Sequence, residues 1–305
     1  MNFQQLRIVR ETVKRNYNLT EVANALYISQ PGVSKNLRDL EDELGVELFV
    51  RRGKRLLGLT EPGRQLVGIV ERMLADARNL KQLARQLGQR DEGHLTVATT
   101  HTQARYALPR VVTEFKRQFP RVHLHLHQGS PAEILQMLLD GEADFGIATE
   151  ALAGVKEIVS FPYYSWHHAV VVPAGHPLEH EERLTLERLA DHPIITYHEG
   201  FTGRAGIDAA FADVGLVPDV VMSALDADVI KTYVVAGMGV GIVADIAAQN
   251  HSSDLVAVKC GHLFGTNTTR LAVKQGAYLR GFVYAFIELA APGWDRRRVE
   301  QALRG

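Results

Sequence analysis

Apolar residues Phe3, Leu6, Val9 and Val13 return at helical spacing and predict a first amphipathic helix. Asn18 opens a second, with Val22, Ala23 and Leu26 on its inner face, and Tyr27-Ile28-Ser29 breaks it. In the run SQPGVSKNLRDLEDELG, Val33, Leu37, Leu40 and Leu44 mark the buried side of a third helix. Pro31 falls in its first turn, where a missing N–H leaves nothing unpaired, and Gly45 ends it. Val46 to Val50 then forms a short apolar run. Arg51-Arg52-Gly53-Lys54-Arg55 makes a basic tip and Leu56 to Thr60 returns, which predicts a hairpin. Capped by Thr60-Glu61-Pro62-Gly63, a long helix follows, with a stripe at Leu66, Ile69, Val70, Met73, Leu74, Ala77, Leu80, Leu83, Ala84 and Leu87. Its spacing of about 3.5 residues calls for a partner, either the same helix of a second copy or the chain's own C-terminal part. The polar stretch Gln86 to Gly93 reads as a hinge.

Beyond it the period changes. His94 to Ala98, Val122 to His127 and Phe145 to Ala148 read as strands, separated by helices at Leu108 to Phe119 and Pro131 to Leu139. The layout repeats with strands at Ala169 to Val172, Ile194 to Tyr197, Val220 to Met222 and Gly241 to Val243, with helices near Leu186, Ile207 to Val214 and Val229 to Ala236. Strands alternating with helices predict parallel sheets. Leu271 to Val273 and the helix Gly281 to Leu289 return to the first lobe, so the chain crosses between lobes near Phe161 to His168 and Phe264 to Thr269. Two crossings make a hinged cleft of the periplasmic-binding-protein kind. Trp294-Asp295-Arg296-Arg297-Arg298 reads as a solvated C-terminal helix.

The third helix offers Ser29, Gln30, Ser34 and Lys35 on its opening polar face, the pattern of a recognition helix in a DNA groove. Arg51, Arg52, Lys54 and Arg55 of the hairpin would lie along a phosphate backbone or minor groove. Charge is distributed to match: 15 basic and 10 acidic residues through Gly88, against 19 and 25 beyond it. In the C-terminal part, Thr99, Thr100, Thr102, Gln103, Gly129, Ser130 and Thr149 fall at strand ends, and Thr202 lies on a loop able to face the cleft. Neutral hydrogen-bonders at helix starts suit a small anion or a zwitterion, although each threonine could serve only as a helix cap. One cysteine, Cys260, excludes an internal disulfide framework and a thiolate zinc site. The absence of a bilayer-length apolar run and of a signal-peptide order predicts a soluble, cytoplasmic protein with no membrane partner. His123, His125 and His127 alternate as the exposed face of an edge strand rather than as a metal site. Gly237 to Gly241 reads as a tight turn rather than a dinucleotide loop. With no nucleophile and base pair, metal set or phosphate loop, neither catalytic residues nor a cofactor is expected.

The run from Phe3 through Gly63, with SQPGVSKNLRDLEDELG followed by LF, RR and LTEPG, resembles the winged helix-turn-helix of LysR-type transcriptional regulators. The segment Thr99 to Pro109, TTHTQARYALP, resembles their CysB/Cbl-like branch, which includes the cysteine-regulon activators. The resemblance spans essentially the full length. It implies DNA contacts from Ser29, Gln30, Pro31, Ser34 and Lys35, with Arg51 or Arg52 at the wing; many relatives carry Arg where Lys35 stands. It implies an effector, N-acetylserine, O-acetylserine or sulfate, held by Thr100, Thr102, Gln103, Thr149 and Thr202, with Ser130 and Trp166 as neighbours. A homotetramer on an operator, contact with RNA polymerase and control of sulfur assimilation and cysteine synthesis would follow; a Cbl-like role in sulfonate use or sulfate starvation uses the same residues. The expected fold is an N-terminal all-α winged helix-turn-helix with a long linker helix, then an α/β two-lobed effector domain. The boundaries are 1–60, 61–92 and 93–305, with lobe I about 93–163 and 268–305 and lobe II about 164–267. An enzyme of binding-protein or aminotransferase type would turn over a ligand, and a passive architectural DNA-binder would show no ligand effect.

Overall fold

The computed structural model describes residues 1–53, 55–88, 92–249 and 253–304. Lys54 of the basic tip, residues 89–91 of the expected hinge and the side chain of Leu87 lie outside the described residues. The chain divides into two compact units, Met1–Gly88 and Gln89–Gly305.

In the N-terminal unit, α1 (Phe3–Lys14), α2 (Leu19–Leu26) and α3 (Gln30–Leu44) each begin where a side chain accepts a free backbone N–H. Asn2 accepts from Gln5, Asn18 from Thr20 and Glu21, and Ser29 from Gly32. Gly45 closes α3 at φ 69°. Tyr27 ends α2 in the same left-handed region, φ 54°, an unusual conformation for a residue with a Cβ, and its side chain is left 95% exposed. Leu6, Ile8, Val9, Val22, Val33, Leu37 and Leu40 form the core with Leu48 and Phe49. Three positions depart from the apolar pattern. Phe3 and Leu44 are exposed, while Glu41 turns inward.

Glu41 is buried because its carboxylate has work there: Oε1 accepts from the Leu48 and Phe49 N–H groups at 2.8 and 3.1 Å, and Oε2 pairs with Arg51. The hairpin it anchors joins β1 (Phe49–Arg52) to β2 (Arg55–Leu59) antiparallel, so Arg51 and Arg52 stand within a strand rather than at the tip. α4 (Glu61–Gly88) starts where Thr60 Oγ1 accepts from Gly63. Gly63 must lack a side chain, since a Cβ there would lie 2.1 Å from the Leu48 carbonyl oxygen. Val70 and Leu74 of α4 complete the core. Further along, Leu80 and Leu83 are exposed.

The second unit runs β3 (Gly93–Thr99), α5 (Leu108–Gln118), β4 (Val122–Gln128), α6 (Pro131–Asp140), β5 (Phe145–Ala148) and β6 (Ile158–Trp166) in lobe I. Lobe II follows with β7 (His168–Pro173), α7 (Leu186–Ala190), β8 (Ile194–Tyr197), α8 (Arg204–Asp213), β9 (Val220–Ala224), α9 (Ala227–Val235), β10 (Val240–Ala244), α10 (Asp245–Ala248) and β11 (Leu255–Lys259). The short α11 (Gly261–Phe264) leads back to β12 (Asn267–Lys274), α12 (Gly281–Ala290) and α13 (Arg296–Arg304) of lobe I. The sheet orders are β4-β3-β5-β12-β6 and β11-β7-β10-β8-β9.

Both sheets are mixed, which corrects the parallel expectation. β12 runs antiparallel to β5 and β6, and β7 antiparallel to β10 and β11, because strands arriving from or returning to the other lobe enter from the opposite end. β6 and β11 were not read as strands. Pairing of β6 along β12, from Ile158↔Lys274 to Trp166↔Asn267, narrows the first crossing to His167. The C-terminal tail also differs from expectation: Asp295 caps α13, Val299 is fully buried and the Trp294 ring packs 4.5 Å from Phe161. This helix is docked on the lobe I core, not solvated.

Candidate functional site

Each unit carries a candidate site of its own. On the first, Ser29, Gln30, Pro31 and Lys35 are exposed at the start of α3, with Ser34 half-buried among them. The Ser29 hydroxyl is also the α3 cap. On the wing, Arg51 is held by Glu41, whereas Arg52 and Arg55 are exposed. Gln30 and Arg55 share a cleft of about 430 Å³ with Asn18 and Thr20 at the start of α2. Helix start, wing and recognition helix thus present one polar surface, and the exposed Tyr27, which the sequence reading did not single out, lies at the turn beside it.

In the second unit the polar groups turn inward. Thr100, Thr102 and Gln103 follow β3 and are buried, and Gln103 opens a π-turn, Gln103–Ala107. Thr269 is the hub. Its hydroxyl contacts Gln103 Nε2 at 3.4 Å, Trp166 Nε1 at 3.1 Å and Thr149 Oγ1 at 3.2 Å, and Tyr164 donates to Gln103 Oε1 at 2.8 Å. Three of the residues named from sequence therefore meet on a fourth that was not. Thr102 reaches across to the phenol of Tyr197 in lobe II, which also accepts the Ala244 N–H at 3.0 Å. Burial pushes the Tyr197 phenol up from its ordinary range. Ser130 stands apart: its hydroxyl belongs to a reciprocal capping box with Glu133 at the start of α6.

Thr202 is buried with φ 42°, next to Gly203 at φ 73°. Their backbone N–H groups meet a single carboxylate. Glu150 of lobe I meets both, the Gly203 N–H through Oε1. Burial nonetheless raises the Glu150 carboxyl above its ordinary value. His168 Nε2 faces the Thr202 carbonyl oxygen at 3.2 Å, and burial lowers its ring to about 4, so the ring is neutral. Gly203 has no space for a side chain, since a Cβ would meet Asn267 Oδ1 at 2.7 Å and His168 Cε1 at 2.8 Å.

A second set bridges the lobes at the rim. Asp228 of α9 takes Tyr106 OH and Arg105 Nε, each at 2.7 Å, and His101 Nε2 at 3.3 Å, while Lys231 donates to the Tyr106 hydroxyl at 2.8 Å. Burial would raise the Asp228 carboxyl, but Tyr106, Lys231 and His101 bring it below its usual value. His101, Asp226 and Asp228 offer ligand-type atoms within 4.8 Å of one another. A cation there would compete with Arg105 and Lys231, which already neutralise Asp228. His123, His125 and His127 are exposed on edge strand β4, with His94 stacked on the first two at 5.3 and 5.5 Å, an arrangement that spreads ring nitrogens apart. The Cys260 thiol is buried and pushed up to about 12, which leaves it unreactive.

Comparison with known proteins matches both units. Residues 3–64 match the bacterial regulatory helix-turn-helix protein, lysR family, and residues 88–295 match the LysR substrate binding domain. The HTH-type transcriptional regulator SsuR of Burkholderia cenocepacia is 59% identical over 305 residues, 100% of this chain and 99% of that protein. CysB of the same organism is 54% identical over 306 residues, covering 100% and 98%. Among solved structures, the cofactor-binding domain of the Cbl transcriptional regulator superposes with a TM-score of 0.67 at 46% identity, over 70% of this chain and 93% of that one. No helix among the described residues is long and apolar enough to cross a membrane.

Proposed function

This chain belongs to the LysR family of transcriptional regulators, in the CysB/Cbl-like branch, and from that premise we propose that it controls genes of sulfur assimilation and cysteine synthesis in response to an acetylserine or a sulfate-type anion. The observation that carries the effector assignment is the buried network on Thr269. The Thr269 hydroxyl accepts from Gln103 and Trp166 and pairs with Thr149, so the network holds these side chains in place, and the buried hydroxyls of Thr100, Thr102 and Thr202 are the neutral donors offered to a ligand. Such donors favour a small anion without demanding a lysine.

At the operator, Gln30, Ser34 and Lys35 read bases, while Ser29, Pro31 and the α2 start set the register of α3. Arg52, with Arg55, takes phosphates; Arg51 braces the wing through Glu41. The exposed Leu80 and Leu83 of α4 pack against the same helix of a second copy, two such dimers form the tetramer, and the complex contacts RNA polymerase. Ligand binding favours one arrangement of the lobes, which repacks subunit contacts and changes the bend or spacing imposed on DNA.

Calorimetric titration of the full chain with O-acetylserine, N-acetylserine, sulfate, thiosulfate and adenosine phosphosulfate tests this, alongside a Thr100→Ala, Thr102→Ala double variant. Saturable binding that the variant weakens by about 100-fold, two lost hydrogen bonds at roughly 1.4 kcal/mol each, is the expected result. Tightest binding of adenosine phosphosulfate would move the role to the Cbl-like, sulfate-limitation branch. No binding by any of the five would remove the sulfur assignment and leave the DNA-binding unit untouched.

A further inference from the structure

Tyr106 belongs to lobe I by its place in the chain but packs into lobe II. It stands in the π-turn after β3, and its ring lies against the lobe II core cluster that includes Val171, Ile195, Tyr197 and Ile230. Both partners of its hydroxyl are in lobe II as well: it donates to Asp228 Oδ1 at 2.7 Å and accepts from Lys231 Nζ at 2.8 Å. The same ammonium lies 5.2 Å from the centre of the Tyr106 ring, a cation–π contact.

The seat for this side chain is assembled inside lobe II without it. Asp226 accepts the N–H groups of Asp228 and Val229, which fixes the first turn of α9. Lys231, one turn on, pairs with Asp228 Oδ1 at 3.2 Å and donates to the Ala247 carbonyl oxygen of α10 at 3.1 Å. Withdrawal of Tyr106 therefore leaves Lys231 with partners in its own lobe and strands no buried charge. On the outer side Arg105 Nε meets Asp228 Oδ2 at 2.7 Å, but its side chain is 57% exposed, so water takes over its charge when the pair separates. A contact built in this way forms and releases at modest cost.

The backbone ties it to the polar network of lobe I. Gln103, the first residue of the same π-turn, contacts Thr269 Oγ1 and accepts from Tyr164, and Tyr106 sits three residues further along, across the lobe boundary. π-Helical turns are rare and concentrate at functional sites. We propose that Tyr106 is the bolt of an interlobe latch, with Asp228 and Lys231 as its catch, which holds the two lobes together and sets how often they part. The latch stands on these contacts alone; only its use, release as a step in regulation, rests on the effector reading above. Unlatched lobes sample a second arrangement, so the latched share fixes how far an effector has left to shift the equilibrium.

Pulsed electron–electron distance measurements on the full chain, with spin labels at Gln136→Cys of lobe I and Ala209→Cys of lobe II, both exposed positions, read the lobe arrangement with no effector added. The buried Cys260 thiol does not compete for the label. One dominant interlobe distance is expected in the otherwise wild-type chain. Tyr106→Phe keeps the ring and removes only the hydroxyl; it is expected to raise the share of molecules at other distances about tenfold, the worth of one hydrogen bond to a charged group. Asp228→Asn is expected to act in the same direction, and the combined variant to fall well short of the product of the two, because both remove one contact. Arg105→Gln, at the exposed edge, is expected to change the share less than about threefold. Unchanged distances in Tyr106→Phe overturn the proposal, whether or not Asp228→Asn folds. A wild-type chain already spread over many distances overturns it too, as does full independence of the two substitutions, which would make them unrelated packing defects. Adding sulfate, O-acetylserine and N-acetylserine to the same samples separates the two readings. If none binds, the effector reading falls and the distances still decide the latch; if one binds and Tyr106→Phe matches wild type, the latch alone falls.

Discussion

The two units use the same residue types in opposite ways. On α3, Ser29, Gln30 and Lys35 face outward, exposed and held only by a cap, as a surface for a large partner would be. In the second unit, Thr102, Gln103 and Thr202 are buried and hydrogen-bonded across distant segments, the enclosure that a small-ligand site needs. Exposed groups gain little from a fixed geometry and can be read by local pattern. Buried groups must each find a partner, and Thr269 supplies one to Gln103, Trp166 and Thr149 from three other segments.

The sharpest way to break the comparison is Glu41→Ala, since Glu41 is a buried carboxylate in the unit whose candidate site residues face out. Removing it strands Arg51 and the Leu48 and Phe49 N–H groups, an expected loss of about 3 kcal/mol. Thermal unfolding should show the N-terminal transition lowered and operator affinity reduced, with effector titration unchanged; an unaltered transition would make the pair dispensable.

In the other unit, His168 sets a pH dependence. Its folded value near 4 lies below the ordinary 6.5, so between those limits the unfolded chain binds more protons and stability falls as pH drops. Above pH 6.5 this contribution is constant. The full shift corresponds to at most about 3 kcal/mol, and nearby Glu150, shifted upward, opposes part of it. His168→Gln should flatten the stability profile of the C-terminal unit between pH 6.5 and 4, as followed by denaturant titration at several pH values. An unchanged slope would mean that the ring is solvated.

The smallest effects separate two neighbouring arginines. Arg52→Ala should weaken operator and random DNA alike, by a few-fold, and reduce the slope of log affinity against log salt by about 1. Arg51→Ala should instead lower the stability of the wing, because its charge is already committed to Glu41. Similar salt slopes for the two variants would show that Arg51 also reaches phosphate.

Much of this was legible in the chain. Asn18, Ser29 and Gly45 mark helix ends through contacts with residues at most four positions away, so the helix-turn-helix could be read directly. Thr100, Thr102, Thr149 and Thr202 were picked out because strand ends in alternating folds collect ligands, and the structure brings Thr149 to Thr269. Thr269 was missed, although it lies at the second expected crossing, because its role appears only when β12 pairs with β6 and brings it to Trp166, 103 residues away. Arg51 was read as a phosphate contact because nothing in its neighbourhood announces Glu41 ten residues earlier. The rim set of His101, Arg105 and Tyr106 lay within the quoted TTHTQARYALP segment, but Asp228, its partner, is 122 residues beyond Tyr106.

Periodicity, caps and turn residues by themselves determined which segments are helices and strands, where the recognition helix begins and that a two-lobed sensor follows it. These are consequences of steric and hydrogen-bonding preferences acting over a few residues. The tertiary structure alone decided which side chains meet on Thr269 and which charges are neutralised internally. Those outcomes depend on strand register and on two chain crossings, and no interaction within one turn of helix or one hairpin carries that information.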